Sequence, residues 1–74
     1  MDVTYHIDKD IIYIAVEGRI DASNAAEAEE KIFGIKNDNP GKHTVLDADK
    51  LEYISSAGLR VILRLRKEEP KLAI

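Results

Sequence analysis

The stretch Ile11-Ile12-Tyr13-Ile14-Ala15-Val16-Glu17 constrains this chain more than any other. Isoleucine and valine are stiff at χ1 and pack well on a pleated surface, so the run reads as a β-strand. Successive side chains of a strand point to opposite faces. A strand apolar on both faces is therefore expected deep in the fold. Residues 3–8 read differently: Val3, Tyr5 and Ile7 alternate with Thr4, His6 and Asp8, the period of a half-buried strand. Only the polar break Asp8-Lys9-Asp10 separates the two, which predicts a hairpin.

Beyond the strand the period changes. Gly18 ends the run, and Arg19-Ile20-Asp21 leads to a helix start. Asn24 is the predicted N-cap, with Glu27 at capping-box spacing and Ser23 as the neighbouring candidate. Ala25, Ala28, Ile32 and Ile35 form one apolar stripe. Glutamates crowd the early turns and Lys31 and Lys36 the later ones, an order that complements the helix dipole. Residues 37–41, Asn-Asp-Asn-Pro-Gly, read as stop and loop. A short strand is expected over 44–48. Residues 50–54 are expected to be a connection anchored by Leu51 and Ile54. A second helix is expected from about 55 to 69, stopped by Pro70. Its predicted core stripe is Leu59, Ile62 and Leu63, widened by Val61 and Leu65, with Arg60, Arg64 and Lys67 on the wet face. Residues 71–74 read as the start of another strand. The expected order is β-β-α-β-α-(β), a single α/β domain with a mixed sheet and helices packed on it. The unit from 44 to 74 is expected to bring in a parallel pair through a right-handed crossover.

Seventy-four residues suffice for one small domain. Cysteine is absent, which removes disulfides and thiolate metal sites and is compatible with a reducing cytoplasm. No apolar run approaches the ~20 residues of a membrane span, and no signal peptide is visible. A net charge of −3 and a pI near 5.3 give no reason to expect nucleic acid. His6 and His43 lack ligand-spaced partners, Gly18 and Gly58 are isolated rather than part of a phosphate-binding loop, and the aspartates miss calcium-loop spacing. Ser56 lacks the glycine-flanked elbow of hydrolases. The expectation is a chain without enzymatic activity, metal or cofactor.

Ser55 and Ser56 open the second helix. Read alone, one of them is its N-cap, its oxygen accepting an unpaired amide hydrogen of the first turn. The same place suits a phosphate, because a helix N-terminus presents free N–H groups and partial positive charge. A phosphoserine there would add about −1.5 to −2 charge, and Arg60, one turn on, is placed to pair with it.

The run TVLDADKLEYISSAGLRVIL, residues 44–63, resembles the signature of STAS domains, the fold of bacterial anti-sigma factor antagonists. A short strand ends in an acidic residue, a loop with two apolar anchors follows, and a serine turn with a glycine opens a helix. The run IIYIAVEGRIDASNAAEAEEKI, residues 11–32, is similar as well, and the resemblance extends from Val3 to Ile74. It implies that Ser56, two residues before Gly58, is the serine phosphorylated by a partner kinase that is itself the anti-sigma factor. Asp21 matches the acidic residue near the same surface, and Gly58 the glycine that lets the helix start close to the partner. The implied partner surface is Asp21, Ser55, Ser56, Gly58 and Arg60. Unphosphorylated antagonist binds the kinase, phosphorylation ends binding, and a serine phosphatase restores it. The implied location is the cytoplasm.

Two departures stand out. Ser55 occupies the place where the family pattern usually has aspartate, which adds a second hydroxyl and makes Ser55 the alternative phosphorylation site, with Ser56 preferred for its register with Gly58. The family also normally continues beyond the strand expected at 71–74, so a domain incomplete at its C-terminus is expected, with a sheet edge open to homo-oligomer formation. Two other readings compete: a STAS scaffold module of a sensor complex or transporter that is not phosphorylated, and a small nucleotide- or lipid-binding domain using the helix N-terminus at Ser56 and Asp21.

Overall fold

A computed structural model of the chain describes residues 1–69 and Leu72. Its elements are β1 (Asp2–Asp8), β2 (Ile11–Ile20), α1 (Ala25–Asp38), β3 (His43–Asp47), β4 (Leu51–Ile54) and α2 (Ser56–Glu68). The strand expected at 71–74, and the open edge it would leave, fall outside the described residues apart from Leu72. The leucine is buried and lies outside regular structure.

The strand β2 organises the sheet. Strand β1 pairs with it antiparallel, from Asp2 opposite Glu17 to Asp8 opposite Ile11. The two-residue turn between them places Lys9 at φ +57°, in the left-handed region. Strand β3 pairs parallel with the first half of β2, Ile11 opposite His43 through Ala15 opposite Asp47. Residues 50–54 are not the plain connection the sequence suggests. Leu51–Ile54 is a fourth strand, parallel to the last part of β2, with Gly18 opposite Leu51 and Ile20 opposite Ile54. The register slips between Gly18 and Arg19, where β4 carries one extra residue. Gly18 takes φ +92°, a conformation open to glycine at little steric cost. Among the described residues the order is thus β-β-α-β-β-α, with both β3 and β4 parallel to β2, and the parallel pairing expected through α2 involves residues 71–74, which lie outside the described residues apart from Leu72.

Burial follows the pleat of β2. Ile12, Ile14, Val16 and Ile20 are essentially sealed, whereas Ile11, Tyr13, Ala15 and Glu17 on the other face are only half-buried. The sealed face meets Ala25, Ala28 and Ile32 of α1, Leu46 of β3, and Val61 and Leu65 of α2 in one core. The predicted stripe of α1 holds, with Ile35 packed at the margin. Val3 packs against this core but Tyr5 and Ile7 remain exposed, so β1 is less buried than its alternation suggests.

The stripe of α2 is rotated from the one expected. Its buried residues are Gly58, Val61 and Leu65, while Leu59 and Leu63 face out at 49% and 64% exposure. Gly58 sets this orientation. A Cβ there would stand 2.6 Å from Ile54 Cγ1 and 2.8 Å from Ile20 Cγ2. Only a bare Cα lets the helix sit this close to the strand ends. The close approach of Gly58 is therefore to the core of its own chain. Gly58→Ala is expected to destabilise the fold despite alanine's advantage of ~1 kcal/mol in a helix. The crowded atoms belong to short branched side chains that have little room to swing away, and overpacking of this kind costs about 1–3 kcal/mol. A net loss of up to about 2 kcal/mol should appear as a lower urea midpoint with an unchanged slope.

Candidate functional site at the paired strand ends

Strands β2 and β4 end side by side. Ile20 lies opposite Ile54, and the Ser55 N–H donates to the Ile20 carbonyl at 2.8 Å. Asp21 and Ser55 are the first residues beyond these ends. From Asp21 the chain turns into α1, and from Ser55 it enters α2 directly. The sheet thereby brings Asp21 beside the serine pair, across more than thirty residues of sequence.

The two serines have different positions. Ser55 is the N-cap of α2, in an extended conformation, and its Oγ accepts from the Gly58 N–H at 3.3 Å. Its carbonyl accepts from the Leu59 N–H at 2.9 Å. Ser56 is the first helical residue and is exposed, and among the described residues its hydroxyl has no hydrogen-bond partner. One serine caps and the other presents its oxygen to solvent at a helix N-terminus. Ser55→Ala is accordingly expected to lower stability by about 1 kcal/mol, the usual worth of a cap, and Ser56→Ala by less than about 0.5 kcal/mol. Thermal melts of both variants check this.

The capping box predicted at Asn24 does not form. Asn24 has φ −125° and ψ 3°, and its side chain makes no bond to the first turn of α1. It reaches back instead. Its Oδ1 accepts from the Asp21 N–H and its Nδ2 donates to the Arg19 carbonyl, both at 2.9 Å. Glu27 pairs with Lys31 along the helix. Asp21 takes the organising role, its carboxylate accepting from the Ser23 hydroxyl and from the Ser23 N–H. These bonds, the hydroxyl first, hold its pKa below the ordinary aspartate value of 3.8, with a smaller contribution from Arg19. The contribution of a carboxylate stabilised in this way is fully present above its unfolded pKa and is lost as pH falls through the lowered folded one. The Ser23 amide resonance should therefore titrate with a midpoint below the ordinary aspartate pKa, as followed by NMR.

Arg60 is exposed on α2, one turn beyond Ser56. With Ala57, Val61 and Arg64 it lines a shallow groove of about 240 Å³ against Ala22, Ala25, Ala26 and Glu29 of α1. Arg64 is not simply solvated: its Nη1 donates to both carboxylate oxygens of Glu29 at 2.8 and 2.9 Å, joining the two helices. On the other face of the sheet end, Arg19 sits 4.4 Å over the ring of Tyr53, which is 44% exposed. This cation–aromatic pair was not legible in sequence, because it depends on β4 lying beside β2. Of the residues expected at the site, Asp21 and Ser55 each follow one of the paired strand ends, and Ser56 is the next residue of α2. Arg60 stands one turn away, and Gly58 is buried beneath them. Among the described residues no cluster of acidic or histidine side chains is placed to hold a metal ion, and no helix is long and apolar enough to cross a membrane.

Comparison with known proteins gives the same result by sequence and by shape. The STAS domain family profile matches residues 2–74. The Bordetella bronchiseptica protein BtrV, whose assigned name is that of an anti-sigma factor antagonist, is 34% identical over 58 residues, 78% of this chain and 49% of its own. The crystal structure of an anti-sigma factor antagonist from Mycobacterium paratuberculosis superposes with a TM-score of 0.82 at 23% identity, covering 95% of this chain and 59% of that one. The unphosphorylated form of the antagonist SpoIIAA gives 0.68 at 15% identity, covering 90% and 62%. The chain thus spans about half the length of this curated relative. With its profile match across nearly every residue and its sheet shared with these structures, the chain belongs to the STAS domain family.

Proposed function

We propose that the chain acts as an anti-sigma factor antagonist, binding an anti-sigma factor serine kinase and losing that partner when Ser56 is phosphorylated. The observation that carries this reading is the division between the serines: Ser55 supplies the cap, and Ser56 leaves an exposed hydroxyl at a helix N-terminus. A phosphate on Ser56 would meet the free N–H groups of the first turn and the Arg60 guanidinium, so the helix would survive its modification. The chain would be a substrate of the kinase, and of a serine phosphatase that reverses the step, with no catalysis of its own, in the cytoplasm. Asp21, Ser56 and Arg60 would touch the partner, while Ser55 and Gly58 would fix the helix end that presents them.

The missing aspartate at position 55 favours one other reading, a scaffold module of the same fold that is never phosphorylated. The two are separated by native pull-down, with mass spectrometry of the partners and of the peptide from Leu51 to Arg60. A co-purified kinase, with phosphate on Ser56 only in the unbound fraction, is the expected result. An unmodified peptide in both fractions would leave the scaffold reading.

A further inference from the structure

We infer that Asn24 is a positioning residue for the partner contact proposed at Asp21: its carboxamide takes the place of a neighbouring strand at the end of β2 and fixes the direction in which Asp21 leaves the sheet. Consecutive residues of a strand turn their backbone groups to opposite sides. The Gly18 N–H donates to the Lys50 carbonyl, and the Ile20 carbonyl accepts from the Ser55 N–H, so both residues face β4. Arg19 and Asp21 therefore face the other way, where pairing with β1 stops at Glu17. Their backbone groups still need partners. The Asn24 side chain supplies them: Nδ2 donates to the Arg19 carbonyl and Oδ1 accepts from the Asp21 N–H, both at 2.9 Å. A carboxamide carries a separate donor and acceptor, as a peptide group does, so asparagine can serve both.

The effect falls on Asp21. Its N–H is held by Asn24, and its carbonyl accepts from the Asn24 and Ala25 N–H groups at 3.3 and 3.0 Å. Its carboxylate accepts from the Ser23 N–H at 2.9 Å and from the Ser23 hydroxyl. Backbone and side chain of Asp21 are thus both anchored before a partner arrives, and less conformational freedom is lost on binding. Helix capping does not account for Asn24, because its side chain makes no bond to the first turn of α1. Asn24 and the Ser55 N–H instead hold the end of β2 from its two edges. The inference rests on the proposed function in taking Asp21 as a contact with the kinase.

The test compares Asn24→Ser, Asp21→Asn and the double variant, using the kinase captured in the pull-down. Serine caps a helix as well as asparagine does, so Asn24→Ser keeps a start for α1. Its single oxygen cannot replace a separate donor and acceptor. Asn24→Ser should melt with the parent. Calorimetric titration should show binding weakened about tenfold by Asn24→Ser and about tenfold by Asp21→Asn. The double variant should bind no more weakly than Asp21→Asn alone, because nothing is left to position once the carboxylate is gone. NMR titration of the free Asn24→Ser chain should place the Asp21 carboxyl nearer the ordinary aspartate pKa than in the parent, where it lies below that value. Parent-like affinity or an unchanged Asp21 titration in Asn24→Ser would overturn the inference. Losses that add in the double variant would overturn it too, since they mark a general effect on the fold. Each of these results leaves the phosphorylation reading standing. Full-strength binding by Asp21→Asn would overturn the proposed contact itself, and the positioning role with it.

Discussion

Leu65→Ala is expected to cost about 3 kcal/mol of stability, and Leu63→Ala, two residues earlier on the same helix, less than about 0.5 kcal/mol. Leu65 is 0% exposed and packs among Ile12, Ile14, Ile32 and Val61, whereas Leu63 is 64% exposed. Truncating a sealed leucine loses its transfer energy and leaves a cavity, together worth about 2–5 kcal/mol. Truncating an exposed one removes little, and alanine is the better helix former. A domain of this length has roughly 4–11 kcal/mol of stability in all. The first change should therefore lower the melting temperature by about 12–24 °C. Urea titrations of both variants measure the contrast. Equal losses would mean that α2 packs by the stripe its sequence suggests and not by the one described here.

Phosphorylating Ser56 is expected to weaken binding to the partner kinase by about 100- to 1000-fold without unfolding the domain. A dianionic group on Ser56 still finds Arg60 within its own chain, but buried at an interface whose partner side offers no cation it loses hydration and meets like charge. A penalty of ~3–4 kcal/mol gives that range, at tenfold per 1.4 kcal/mol. The domain itself should not suffer, because negative charge at a helix N-terminus is favourable by about 0.3–1 kcal/mol. Calorimetric titration of the captured kinase with unmodified and phosphorylated chain reads the first effect, and a thermal melt reads the second. A loss of affinity below tenfold would remove the switch, and a lower melting temperature would mean that the phosphate acts by damaging the fold.

Several corrections share one cause. Leu59, Ile62 and Leu63 form a reasonable stripe by hydropathy alone, but Gly58 has no hydropathy to contribute. Its role comes from what lies opposite, Ile20 and Ile54, and from the 2.6 Å that a Cβ would leave. That contact turns the helix and sends two leucines outward. In the same way, residues 51–54 are too short and too mixed to announce a strand. Leu51–Ile54 becomes one because β2 extends past β3 and offers unpaired backbone groups from Gly18 to Ile20. Asn24 has the residue type and spacing of a cap, but the end of β2 lies within its reach, and its side chain bonds there instead.

The sequence by itself determined the hairpin, the central strand, both helices and the place of the serine pair. These depend on period, turn chemistry and caps, which act between residues a few positions apart. It also carried the family, through the serine turn and the order of elements. The tertiary structure decided which leucines of α2 are core, that β4 exists, and that Asp21 stands beside Ser55 and Ser56. It also separated the roles of the serines, since only the seated helix shows Ser55 turned to its own first turn and Ser56 left open. Each of these depends on contacts between residues remote in sequence, and no local pattern records where such partners will lie.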